Sequence, residues 1–116
     1  MRLKLIMALV SEENTDTVIA AARAAGATGE TVLTSARGGG LRPGKTFLGL
    51  DLAGRRDVVI FLVTEARSRE ILEAIAAAGR FDEHPGAGIA CQLPIEDAVG
   101  LRTQLPTLLQ EIEEKL

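Results

Sequence analysis

Apolar residues fall along this chain in two matching blocks. Leu3-Lys4-Leu5-Ile6-Met7-Ala8-Leu9-Val10 is a nearly unbroken apolar run, followed by polar Ser11 to Asp16 and an alanine-rich stretch ending at Ala25-Gly26. Asp57-Val58-Val59-Ile60-Phe61-Leu62-Val63-Thr64 opens a second block that closes the same way at Ala78-Gly79. Val10 to Gly26 is 16 positions, and so is Val63 to Gly79, which places the two copies 53 positions apart. Another apolar run follows each block, Thr31 to Ser35 and Ile89 to Leu93. The pattern is strand, helix, strand, written twice.

The first strand covers about residues 2–10. Ser11 to Asp16 supplies side-chain acceptors and acids suited to the free N–H groups at a helix N-terminus. Val18, Ile19, Ala22 and Ala25 lie on one helical stripe, and Gly26 suits the left-handed residue that ends a helix. Thr31 to Ser35 is rich in β-branched residues and reads as a strand. In the second copy, Val58 to Val63 is a strand, and Thr64 can cap a helix carrying Ile71, Leu72 and Ile75. Gly79 is expected to end that helix, and Ile89 to Leu93 to form the last core strand. Ile95 to Ala98 is expected to make a short helical turn. The segment 104–116, with Leu108, Leu109, Ile112 and Leu116 backed by Glu111, Glu113 and Glu114, reads as a C-terminal amphipathic helix with Pro106 in its first turn.

Two such units predict one α+β domain over residues 1–116, a ferredoxin-like βαββαβ sandwich. Its antiparallel four-stranded sheet would carry both helices on one face. The strands are apolar on both sides, so the second face needs a cover, and association of copies is the economical one.

Composition narrows the function. The formal net charge is −3 and no long Lys/Arg run exists to displace counterions from phosphates, which argues against nucleic-acid binding. Phe47, Phe61 and Phe81 are the only aromatic residues, too few for a base-stacking platform. Cys91, the single cysteine, cannot form an internal disulfide and sits in an apolar strand, where a buried thiol would be inert. No apolar run approaches a membrane span of about 20 residues, and the start of the chain lacks a signal-peptide cleavage pattern. A cytoplasmic protein is expected.

Three segments could carry chemistry. The connector 38–56, entered through Arg37, contains Gly38-Gly39-Gly40-Leu41-Arg42-Pro43-Gly44-Lys45. Its glycines permit close backbone approach to an anion, with Arg37, Arg42 and Lys45 beside them, although the spacing is not that of a Walker loop. A flexible hairpin tip is the competing reading. The second segment, residues 80–88, holds Asp82, Glu83 and His84 ahead of Gly86-Ala87-Gly88, whose glycines suit a tight turn against a ligand. One histidine beside two acids is a weak metal set. The third, Pro94 to Thr103, offers Arg102 as an anion clamp, or as a surface arginine near Glu96 and Asp97.

Taken in order, these segments resemble the PII signal-transduction family over roughly residues 2–103. Gly26-Ala27-Thr28-Gly29-Glu30-Thr31-Val32 is similar to that family's passage from first helix to second strand. Residues 79–88 are similar to its B-loop. Pro94-Ile95-Glu96-Asp97-Ala98-Val99-Gly100-Leu101-Arg102-Thr103 resembles its C-terminal signature, the most specific of the three. The connector then corresponds to the T-loop, here shortened and without tyrosine, so tyrosine uridylylation is excluded. Ile89, Gly100 and Ile60 stand where the family places a lysine, an arginine and a glutamate.

The resemblance implies a non-enzymatic regulator: a homotrimer whose sheets face the threefold axis, with adenine-nucleotide clefts between subunits. Thr31, Arg37, Gly38, Gly39, Gly40, Gly86, Ala87, Gly88 and Arg102 would line the cleft. Leu41, Arg42 and Lys45 would meet a partner, a membrane transporter or a metabolic enzyme. AMP, ADP or ATP would act as regulatory ligand, with no cofactor; the missing charges favour a less phosphorylated nucleotide. Two other classes share the fold. A trimeric CutA-like protein would bind divalent metal, for which Asp82, Glu83, His84 and Cys91 are poor support. An acylphosphatase-like enzyme wants an arginine after the first strand, where Ser11-Glu12-Glu13 stands.

Overall fold

The computed structural model describes residues 2–36, 46–47, 50–51 and 55–101. Strand β1 (Leu3–Ser11) passes through a single 3-10 turn (Glu12–Asn14) into helix α1 (Thr15–Ala24), and β2 (Thr31–Ala36) follows. A two-stranded ribbon, β3 (Thr46–Phe47) and β4 (Leu50–Asp51), lies within the connector. Then come β5 (Arg56–Thr64), α2 (Glu65–Gly79) and β6 (Gly88–Pro94). The main sheet runs β2-β5-β1-β6 with every pair antiparallel, the order of a ferredoxin-like βαββαβ domain.

Alternation decides which side chains enter the core. Ile6, Ala8 and Val10 of β1 and Val59, Phe61 and Val63 of β5 point to the helix layer and are buried. They pack with Val18 and Ala22 of α1 and Ile71 and Ile75 of α2. The opposite face carries the other half of the same strands: Leu5, Met7 and Leu9, Val58, Ile60 and Leu62, Ile89, Cys91 and Leu93. Met7 is 38% and Leu33 52% exposed there, so the apolar second face is present and open in the single chain.

Both helices end in a left-handed residue with paired backbone bonds. After α1, Gly26 has φ 122°, its N–H bonds the Arg23 carbonyl, and Ala27 N–H reaches back to Ala22 at 2.9 Å. After α2 the expected cap moves by one residue. Gly79 belongs to the helix and Arg80 takes φ 57°, with Arg80 N–H on Ala77 and Phe81 N–H on Ala76. Gly79 is small for a different reason: a Cβ there would lie 2.3 Å from the Phe81 ring.

Two other expectations are corrected. Residues 95–98 form no helical turn, because the five residues between Pro94 and a left-handed Gly100 (φ 87°) cannot recover the cost of nucleation. Cys91 is exposed, because its register partner is Met7 and that row lies on the open face. The C-terminal helix expected at 104–116 lies outside the described residues.

One buried polar contact ties the start of α1 to the sheet. The Thr15 hydroxyl donates to Asp57 Oδ2 at 2.7 Å, and Asp57 is only 5% exposed. Thr15→Val keeps the shape and removes the donor, leaving that carboxylate without its one described partner. A loss of about 1–3 kcal/mol in urea-melt stability is expected.

Candidate functional site

The chemistry-bearing residues gather where the strand ends meet the return turn, residues 80–87, that joins α2 to β6. Arg56, the first residue of β5, pairs in register with Ser11 of β1 and with Ala36 of β2. It therefore stands where the connector returns to the sheet. Its side chain is 7% exposed, its Nη2 donates to the Gly86 carbonyl at 3.4 Å, and its buried Nε has no hydrogen-bond partner among the described residues. Among the described residues no carboxylate pairs with this guanidinium, so its positive charge favours an anion in the space beside it.

Beside it lies an open pocket of about 490 Å³, walled by Ser11, Glu13 and Asn14 on one side and by Arg80, His84 and Gly86 on the other. Two arginines and a histidine face one acid there. Sequence reasoning missed Arg56. Alternation would place it on the open face with Val58 and Ile60, so no local pattern marked it as buried.

The turn itself is closely built. Gly86 has φ 78°, a left-handed position that suits glycine. His84 N–H bonds the Arg80 carbonyl, and Ala87 N–H bonds the His84 carbonyl, so the Ala87 donor is already engaged. Phe81 fills the space over both ends of the turn. A Cβ on Gly88 would meet its ring at 2.4 Å and the Leu9 carbonyl oxygen at 2.8 Å.

Thr31 is elsewhere. It opens β2 at one edge of the sheet and pairs with Ile60, whereas Gly88 opens β6 at the other edge. Three strand spacings, about 14 Å, separate those edges within one chain. One subunit therefore cannot close a cleft over both. Arg37, Gly38, Gly39, Gly40, Leu41, Arg42, Lys45 and Arg102 lie outside the described residues. Among the described residues, no three His, Cys, Asp or Glu side chains gather as a metal site, and no helix is long and apolar enough to cross a membrane.

The model of the family "Nitrogen regulatory protein P-II" matches residues 3–105. This chain belongs to the P-II family. A solved structure from Thermus thermophilus, described as a putative PII-like signaling protein, superposes with a TM-score of 0.60. It is 23% identical, over 82% of this chain and 88% of that one, which supports the fold. No curated protein sequence matches.

Proposed function

We propose that this P-II protein is a homotrimeric regulator that binds a small anionic metabolite, an adenine nucleotide, in clefts between subunits and acts through its T-loop on a partner protein. The observation that carries the reading is Arg56. A guanidinium buried to this degree, with no carboxylate partner among the described residues and set beside the B-loop and the root of the T-loop, costs desolvation that a nearby anion would recover.

The opposite-edge placement of Thr31 and Gly88 supports the intersubunit cleft. In a cyclic head-to-tail assembly, the β2 edge of one copy meets the β6 end of the next, and the ring closes at three. The open apolar face would line the threefold axis. The partner would be a transporter or an enzyme of nitrogen or carbon metabolism, and the setting the cytoplasm.

Calorimetric titration with AMP, ADP and ATP tests the ligand. Binding of at least one is expected, and Arg56→Gln should weaken it roughly 10- to 100-fold, the range of one charge-assisted contact. No heat with any of the three at millimolar ligand removes the nucleotide from the reading. Equal affinity in Arg56→Gln removes Arg56 from the site.

A further inference from the structure

We infer that Thr15 and Asp57 form a clasp that makes the first turn of α1 and the returning end of the connector, residues 55–57, open and close together. The clasp stands apart from the reading above: it needs no particular ligand in the pocket. Helix α1 starts without a local cap. Asn14, its N-cap residue, makes no side-chain cap bond, and neither does Ser11 ahead of the 3-10 turn. The free N–H groups of a first turn ordinarily find an acceptor close by in sequence. Here the fastening comes from 42 positions away, where the Thr15 hydroxyl donates to Asp57 Oδ2 at 2.7 Å.

Asp57 is an unexpected residue for its row. Val59, Phe61 and Val63 continue that row of β5 and are buried against the helices, so an apolar residue at 57 would extend the core. The carboxylate there is 5% exposed instead, and its buried Oδ1 has no hydrogen-bond partner among the described residues. Burying it costs desolvation, offset by the Thr15 donor and by the positive end of α1. That offset exists only while both segments are in place. A second bond grips the same two segments. Glu12 N–H donates to the Arg55 carbonyl at 3.1 Å, and their side chains form an exposed, weak pair at 4.0 Å. Residues 11–15 and 55–57 are therefore fastened on both sides of Arg56, which itself stands opposite Ser11. Departure of either segment strips the other of its partner, the condition for a cooperative local opening. A displacement at the root of the connector is then felt in the helix layer, at the start of α1.

Arg55→Gly tests the coupling, because it loosens the root from an exposed position outside α1. Amide hydrogen exchange is read at three places. Glu12 bonds the root, the Ile19 N–H closes the turn that starts at Thr15, and Ile71, buried in α2, reports global unfolding. Arg55→Gly should speed exchange at Glu12 and Ile19 together, roughly two- to fivefold, while Ile71 holds its rate. In a Thr15→Val background the same change should speed Glu12 alone. In Thr15→Ser, which keeps the donor, both amides should respond again. An Ile19 amide that stays at the wild-type rate in Arg55→Gly overturns the clasp, as does a rise shared by Ile71. That comparison stands on the surface variant alone, whatever Thr15→Val does to folding. Ile19 still following Glu12 in the Thr15→Val background removes Thr15 and Asp57 as the coupling contact.

Discussion

Met7→Asp is expected to convert the proposed trimer into monomers. Met7 lies mid-strand in β1, flanked in register by Ile60 on β5 and Cys91 on β6, at the centre of the open apolar face. It is 38% exposed in the single chain, so a carboxylate there meets water in the monomer and costs the isolated fold little. In the proposed trimer the same carboxylate would be repeated three times around one axis, desolvated and facing its own copies. Burying an unpaired charge costs several kcal/mol, and like charges add to that. Light scattering should give three times the 12.3 kDa chain mass for the wild type and one chain mass for the variant, with unchanged far-ultraviolet circular dichroism. A wild-type monomer at micromolar concentration would overturn the trimer. A trimeric Met7→Asp would place the interface on another surface.

Gly88→Ala is expected to be the most damaging of the single-methyl changes. The added Cβ meets two obstacles of different stiffness: the Phe81 ring at 2.4 Å and the Leu9 carbonyl oxygen at 2.8 Å. The ring can tilt, but the carbonyl belongs to the central strand β1 and cannot move without disturbing the sheet. Overpacking of this kind costs typically about 1–3 kcal/mol, here toward the upper end. A fall in melting temperature of roughly 5–15 °C follows for a domain this size. Gly79→Ala meets only the ring, at 2.3 Å. Phe81→Leu should therefore restore most of the loss in the Gly79 variant and only part in the Gly88 variant. Equal rescue of both would show that the Leu9 carbonyl is not the obstacle.

These two glycines mark how far the site was legible beforehand. Gly86 and Gly88 stood out as turn residues, and Gly86 does sit at a left-handed angle. Gly88 lies on the edge strand, and its want of a side chain is accounted for by Phe81, seven positions earlier. That contact depends on how the turn folds back, which no local pattern records. Glycine's preference for the cap position points to Gly79, yet the left-handed angle falls on Arg80. Local preference was overridden by the need to seat Phe81. Arg56 is not legible in the sequence because its burial comes from β1, β2 and the turn 80–87 converging on it, three segments distant in sequence.

The doubled apolar pattern by itself determined the strand and helix order, the α+β class and the presence of a second apolar sheet face. Periods of two and 3.6 fix which side chains share a face, and the 53-position repeat requires two equivalent units. Only the tertiary structure decided that Thr31 and Gly88 lie on opposite sheet edges, that Cys91 is exposed, and that Arg56 and Arg80 wall one pocket. Those facts follow from strand order and from where a return turn lands. Both are set by long-range packing, for which hydrophobic periodicity carries no address.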